Sequence, residues 1–190
     1  LDVTERRRAE EGLQRSEARF RALVETSFDW VWEVDAEGRY TYASPKVQTL
    51  LGYEPAELLG RTPFDLMPVE EARRVSASFA AIAASRRPFC ALENTSVHRD
   101  GRRVVLETSG VSVLGPSGEH LGYRGVDRDV TERKAADQKI ADTLELTRTI
   151  IETSPIGLVT LLSDGTCLTV NAAMEKVGGG PSETLLGRNL

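Results

Sequence analysis

The most constraining feature of this chain is that it repeats itself. Asp2-Val3-Thr4-Glu5-Arg6 recurs as Asp129-Val130-Thr131-Glu132-Arg133, an offset of 127 residues. At the same offset Glu25-Thr26-Ser27 recurs as Glu152-Thr153-Ser154, Gly38 is matched by Gly165, and Leu58-Leu59-Gly60-Arg61 by Leu185-Leu186-Gly187-Arg188. Four separated anchors in one register exclude coincidence. A period of that length is one small domain plus a linker, far longer than a solenoid repeat.

The phase of the repeat sets the expected organisation: residues 1–4 are the tail of a preceding domain, 5–27 a linker helix, 28–131 one complete domain, 132–153 a second linker helix, and 154–190 the start of another copy. That last piece lacks the strands that would close its sheet and is expected to pack poorly. The chain opens at Leu1 without an initiator Met and stops mid-pattern, so both ends read as cuts from a longer protein.

The segments between copies read as helices. Thr4 and Thr131 suit an N-cap, where a side-chain oxygen accepts from an orphan N–H of the first turn. Ala9, Leu13, Ser16, Phe20 and Leu23 then fall at spacings of 4 and 3, and Ala136, Ile140, Thr143, Thr147 and Ile150 repeat the pattern. This places a thin apolar seam on one helix face. The seam either packs on its own domain or pairs with another helix, and Leu13, Phe20 and Leu23 are the interface candidates.

Within the complete copy, period-two segments bracket a helical middle. Phe28–Asp35 and Arg39–Ser44 predict a hairpin across Ala36-Glu37-Gly38, with Trp30, Trp32 and Val34 on one face. Gly52, Pro55, Gly60 and Pro63 break the stretch from Pro45 to Pro68 into short helices. Glu70–Arg86 carries Val75, Phe79 and Ile82 at helical spacing, and Phe89–His98, Arg103–Leu114 and His120–Val130 predict three strands. The order is β-β-α-α-α-α-β-β-β, an α+β fold with helices gathered on one face of an antiparallel sheet.

Composition closes off several functions. Twenty-nine acidic against twenty-four basic residues give a net charge of -5, which repels a phosphate backbone, and no basic stripe interleaved with aromatics offsets it. The run Arg6-Arg7-Arg8 lies beside Glu10 and Glu11 and reads as a solvated helix face. No nucleic-acid partner is expected. Two cysteines 77 residues apart, Cys90 and Cys167, make no disulfide framework or metal site and read as buried small hydrophobes in a reducing compartment. No apolar run approaches the roughly 20 residues that cross a bilayer. The expected setting is cytoplasmic, without membrane contact in this stretch, although the parent protein is free to be tethered elsewhere.

Gly52-Tyr53, Glu57-Leu58-Leu59-Gly60-Arg61, His98-Arg99-Asp100-Gly101 and the stretch from Asp127 to Arg133 together resemble the PAS family with its C-terminal PAC segment. The resemblance covers 28–131 fully, 154–190 in part, and the tail at 2–6. It implies a PAS-like five-stranded antiparallel sheet cupping a small cavity against short helices. It also implies a role in a multi-domain sensor, such as a histidine kinase or a cyclic-dinucleotide signalling protein.

Catalysis requires a nucleophile with a base, paired carboxylates, or metal ligands, and the chain supplies none of these sets. His98 and His120 flank hairpin turns and are expected at the solvated rim. No enzyme activity is expected, and any kinase or cyclase output lies outside this stretch. The haem-binding relatives that the resemblance implies use an axial His on the long helix, which Glu70–Arg86 lacks. Their flavin-adduct counterparts use a Cys among the short helices, and Gly60–Pro68 has none. Haem and a covalent flavin adduct are disfavoured, and the cofactor is left unknown, with a non-covalent small molecule still open.

Two sites remain. Trp32, Tyr42, Phe79, Asn94 and Arg124 are the candidates for a ligand pocket, set against the plainer reading that the charged groups face solvent and the aromatics are core. Asp129, Thr131 and Arg133 are the candidate signal junction, where Asp129 and Thr131 cap the outgoing helix and Arg133 pairs with Asp129. The expected function is sensory relay, with a small ligand or redox cue transmitted through linker helices to an output domain of the same chain. The alternative is a ligand-free dimerisation or docking scaffold. Trp30 and Trp32 discriminate between them: if their face is exposed on the sheet, the aromatic pair argues for a protein interface, with Trp30 joining the linker seam in a homodimer, and if it turns inward it lines a pocket.

Overall fold

The computed structural model describes residues 7, 11–12, 14–16, 18–19, 22, 24, 26–178 and 186–188. The chain divides into two compact units, Leu1–Glu132 and Arg133–Leu190. Leu13, Phe20 and Leu23 lie outside the described residues.

The first unit opens with strands β1 (Trp30–Asp35) and β2 (Tyr40–Ala43). Alternation along Trp-Val-Trp-Glu-Val-Asp buries every second side chain, as a half-buried strand requires. The turn between them is held by Asp35, whose Oδ1 accepts from the N–H groups of Glu37 and Arg39 at 3.1 and 2.8 Å. Gly38 supplies the positive φ of 78°.

Three short elements follow: α1 (Lys46–Leu51), α2 (Pro55–Leu58) and a 3-10 turn (Pro63–Leu66). Their limits come from the breakers in the sequence. Gly52 ends α1 in the left-handed region. Pro55 and Pro63 open the next two elements, each behind a reciprocal capping box, Glu54 with Glu57 and Thr62 with Asp65. Helix α3 (Val69–Ser85) carries Glu70 and Glu71 in its first turn, where carboxylates favour the positive end of the helix.

Strands β3 (Phe89–Val97), β4 (Arg103–Leu114) and β5 (His120–Asp129) complete the unit. All pairings are antiparallel, in the order β2-β1-β5-β4-β3. The α+β class and the five-stranded sheet therefore stand as the pattern implies. Trp30, Trp32, Val34, Leu106 and Tyr123 point inward from the sheet and meet Val47, Leu51, Leu58 and Leu66 from the short elements. Helix α3 is tied to the edge strand β3 through Glu71, which accepts from the Thr95 N–H at 2.8 Å and holds Arg74. Arg74 in turn donates to the Glu93 carbonyl at 2.7 Å. An edge occupied in this way is less available for pairing with another chain.

Two expectations fail on local geometry. Cys90 is exposed because β3 bulges between Phe89 and Leu92, and only Cys167 is buried. His98 and His120 are half-buried rather than on a solvated rim. The His98 ring lies over Gly52 and its Nδ1 is 2.8 Å from Asp100, while His120 Nδ1 shares a 3.0 Å hydrogen bond with Ser112.

Helix α4 (Thr131–Thr153) buries none of its residues. The second unit then forms a hairpin, β6 (Val159–Leu161) with β7 (Cys167–Val170), and the short helix α5 (Ala172–Gly178). Its hairpin repeats several hydrogen bonds of the first unit's hairpin. Tyr40 donates to the Arg61 carbonyl and accepts from the Gly60 N–H, both at 2.9 Å; at an offset of 127, Cys167 donates to Arg188 and accepts from Gly187, at 2.7 and 2.9 Å. Ser44 accepts the Val31 N–H on its hydroxyl and returns its own N–H to the Val31 carbonyl. Asn171 does the same with Leu158 through its carboxamide oxygen. Both latch residues are fully buried.

Candidate ligand pocket and signal junction

A cavity of about 50 Å³ lies between the inner face of the sheet and the helical layer. One wall is aromatic and aliphatic, built from Phe64 and Met67 beside the 3-10 turn, Phe79 on α3, and Phe89 at the start of β3. Phe79, Phe89 and Tyr123 pack edge-on at centroid distances of 5.3 to 6.0 Å, and the Tyr123 hydroxyl is anchored on the Ile82 carbonyl at 3.2 Å.

The opposite wall is polar and belongs to the sheet. Asn94, Ser96, Thr108 and Asp127 project into the cavity from three adjacent strands. The Trp32 indole donates to Asp127 Oδ1 at 2.8 Å, a buried bond spanning 95 residues of sequence. Asn94 Nδ2 donates to Thr108 Oγ1 at 2.7 Å and to the Leu92 carbonyl at 3.4 Å. Thr108 in turn hydrogen-bonds to the Asp127 carboxyl. Asn94, Thr108, Asp127 and Trp32 thus form one continuous chain.

Asp127 is 5% exposed. Burial pushes its carboxyl up to about 7, because a low-dielectric site disfavours the charged form. The hydrogen bonds from Trp32 and Thr108 work in the other direction, and the nearby Asp29 adds a further upward push. Tyr40, which also lines the cavity, is raised well above the usual phenol range by burial and then by the Asp127 charge.

Gly125 makes the Trp32–Asp127 bond sterically feasible. A Cβ there would lie 2.5 Å from Trp32 Cζ2 and 2.4 Å from the Ser109 carbonyl. The indole therefore lies flat across β5 only because position 125 has no side chain.

Of the pocket candidates, Trp32, Phe79 and Asn94 line the cavity, whereas Tyr42 and Arg124 do not. Tyr42 pairs with Glu33, and the register then slips so that Tyr40 opposes Val34; the bulge leaves Tyr40, not Tyr42, on the inner face. Arg124 is in register with Glu33 and forms an ion pair with it at 2.5 Å on the outer face. Trp30 is corrected as an interface candidate. It is 1% exposed, its ring packs 5.6 Å from Tyr40, and it presents no surface to a partner. Among the described residues its indole N–H is the one buried side-chain polar atom without a hydrogen-bond partner.

Asp127, Thr108 and Tyr40 were not among the expected site residues. Asp127 was readable from alternation along β5, because it shares the inward phase of Tyr123 and Gly125; an acidic residue in that phase signals a buried carboxylate.

At the junction, Asp129 Oδ1 accepts from the Thr131 N–H at 2.9 Å, which satisfies an orphan donor at the start of α4. The Thr131 hydroxyl turns the other way and accepts from the Val105 N–H on β4 at 2.9 Å. Val130 donates to the Val105 carbonyl at 2.9 Å. Arg133 follows as the third residue of α4. Among the described residues no group of three or more His, Cys, Asp or Glu is placed to hold a metal ion, and no helix is long and apolar enough to cross a membrane.

A cavity enclosed by a five-stranded antiparallel sheet and a layer of short helices, with a helix leaving directly from the last strand, defines a sensor-type domain. Residues 24–135 match the family model described as PAS fold, and the chain belongs to that family. It is similar to the methanogenesis regulatory histidine kinase FilI of Methanothrix harundinacea, 28% identical over 125 residues, covering 65% of this chain and 14% of the relative. The nitrogen fixation regulatory protein of Klebsiella pneumoniae is 24% identical over 140 residues, covering 74% of this chain and 28% of the relative. Among solved structures, the PAS domain of an HTR-like protein from Haloarcula marismortui matches at TM-score 0.54 and 24% identity, over 65% of this chain and 98% of that one. An RNA-binding light-oxygen-voltage receptor matches at TM-score 0.60 and 21% identity, over 68% and 37%. The chain spans under a third of the length of these two curated relatives.

Proposed function

We propose that the complete domain is the sensory relay of a longer signalling protein. A small molecule held in the cavity changes the hydrogen bonding of Asp127, and the change passes along β5 to α4. The observation that carries this reading is spacing: the cavity carboxylate Asp127 and the helix-capping Asp129 are two residues apart on one strand. Thr108 opposes Asp127 in register, and Leu106 opposes Asp129, so a shift between β4 and β5 moves the pocket wall and the helix start together. A cap is worth about 1 kcal/mol, comparable to the bias that a weakly bound ligand can exert on a two-state element.

The relatives include a regulatory histidine kinase and a nitrogen fixation regulator, which suits an output domain elsewhere in the same polypeptide, acting in the cytoplasm. A homodimer is part of the reading. Ile140, Leu144 and Ile150 stand 60 to 65% exposed along α4. The hydroxyls of Thr143 and Thr147 fold back onto carbonyls four residues earlier, which leaves their methyl groups to the seam. Val111 and Val126 are likewise exposed on the sheet. These surfaces favour the second reading, a ligand-free dimerisation scaffold, if the cavity has no occupant.

Native mass spectrometry of the purified chain, followed by release and identification of any bound molecule, tests the choice. A stoichiometric adduct supports sensing. An apo dimer that remains apo after incubation with cell extract supports the scaffold.

A further inference from the structure

The hydrogen-bonding capacity of the polar wall is unevenly spent. Its fixed donors are already committed inside the protein: the Trp32 indole to Asp127, and the Asn94 amide to Thr108 and Leu92. The proximity of the Leu92 carbonyl to Asn94 Nδ2 also fixes the orientation of that carboxamide, so its oxygen is the end left free. Above pH 7, where the Asp127 carboxyl is ionised, the capacity that remains is the part of its four lone-pair sites not taken by Trp32 and Thr108, together with the Asn94 Oδ1, all acceptors. Ser96 and Tyr40 add hydroxyls that turn either way. A ligand bearing only acceptors, such as a carboxylate or a phosphate, finds no uncommitted fixed donor and a carboxylate that repels it.

Size narrows the class further. A water occupies roughly 10–15 Å³ of such space, so a 50 Å³ cavity admits about four waters, or a solute of a similar number of heavy atoms. The facing wall contributes the rings of Phe79 and Phe89, whose faces attract cations.

Resting on the reading of this cavity as a ligand site, we infer that it takes a compact organic cation with several N–H donors, of the guanidinium or amidinium class. Such a cation pairs with Asp127, donates its remaining N–H groups to Asn94 Oδ1 and Ser96, and lies against the aromatic wall. A planar fork of donors is suited to a carboxylate whose other contacts are already fixed. The titratable and charged groups that bear on Asp127 are Asp29, itself held by Arg128 at 2.9 Å, and Tyr40. Arg128 is spent on Asp29, so it does not neutralise Asp127 in advance.

The test is a titration of the 190-residue chain with methylguanidinium chloride, against its neutral isostere methylurea, at fixed ionic strength. The readout is the indole N–H resonances in a two-dimensional NMR spectrum. There are two tryptophans, so Trp32 serves as the site probe and Trp30 as the internal control. The expected result is a saturable movement of the Trp32 resonance, at least about tenfold tighter for methylguanidinium than for methylurea at pH 8. Affinity should weaken about tenfold for each pH unit below 7, as Asp127 takes up its proton. Asp127→Asn should remove the preference for the cation. Equal binding of methylurea, or a preference that survives Asp127→Asn, overturns the assignment of ligand class and leaves the cavity reading intact. Failure of both probes to move Trp32, together with failure of the smaller pair acetamidinium and acetamide to do so, overturns both.

Discussion

Thr131 gives its hydroxyl to the Val105 amide, 2.9 Å away on β4, rather than to its own helix, and leaves the capping to Asp129. The first residue of α4 is therefore stitched to a strand other than the one it follows. Thr131→Val keeps the shape and removes the acceptor, orphaning a part-buried N–H. The expected cost is about 1–2 kcal/mol, and faster hydrogen exchange at Val105 is the local check. Asp129→Ala should cost about 1 kcal/mol and leave Val105 protected. Equal exchange in the two variants would show that the contacts act as one cap.

Asp127 gives the fold a pH dependence of definite sign. Its carboxyl is pushed up to about 7 in the fold against an ordinary value of 3.8, so the native state keeps a proton that the unfolded chain has lost between about pH 4 and 7. Stability contributed by this group therefore falls as pH rises through that window and levels off above it, by about 4 kcal/mol in all. The measurement is the difference in unfolding free energy between wild type and Asp127→Asn from pH 4.5 to 8. It should drift steadily in favour of the variant as pH rises; a flat difference would mean the carboxyl is not held protonated.

The two tryptophans of β1 should respond to different degrees to the same change. Trp30 buries an indole N–H with no partner, so Trp30→Phe trades some packing for relief of an unmet donor and should cost less than about 1.5 kcal/mol. Trp32→Phe removes the same volume and also a charge-assisted bond, which is worth about 1.5–3 kcal/mol. Chemical denaturation of both variants below and above pH 7 separates them, since only the Trp32 variant should show a changed pH profile.

Gly125→Ala should act as a remote pocket mutation. The added methyl collides with the Trp32 ring and the Ser109 carbonyl, and such overpacking typically costs about 1–3 kcal/mol. The Trp32 indole N–H resonance, held downfield by Asp127 in wild type, should move upfield. An unchanged resonance would mean that the ring is positioned by something other than the bare backbone at 125.

The repeat and the hydrophobic period carried most of the architecture. The order of elements along the chain, the broken helical middle and the long outgoing helix follow from where Gly, Pro and the inward positions fall, whereas the lateral order β2-β1-β5-β4-β3 does not. The pocket was only half legible. Trp32, Phe79 and Asn94 lie in phase with their elements, whereas a local bulge takes Tyr42 off the inner face and regular alternation keeps Arg124 off it. Simple alternation puts Tyr40 and Tyr42 on one face, and a single bulged residue in β2 separates them, leaving Tyr40 opposite the inward Val34 and Tyr42 opposite Glu33. Arg124 lies in the outward phase of β5, between the inward Tyr123 and Gly125, where it meets Glu33 on the neighbouring strand. Asp127 shares the inward phase of β5, but a carboxylate is almost never fully buried unless it is paired, and its partner Trp32 lies 95 residues away in sequence.

The hydrogen bonds shared by the two units at an offset of 127 also show which parts of the hairpin are free to vary. The latch tolerates Ser44 in one copy and Asn171 in the other because either side chain presents an oxygen to the same amide. The residues that give the first cavity its chemistry are not kept: Val159 stands where Trp32 does, and Cys167 where Tyr40 does. With no indole at that position, the second hairpin cannot make the tryptophan-to-carboxylate bond that defines the first pocket. The repeat has kept the mechanical frame without the vocabulary, so the bonding that shapes the hairpin and the side chains that line the first cavity are separable in this sequence.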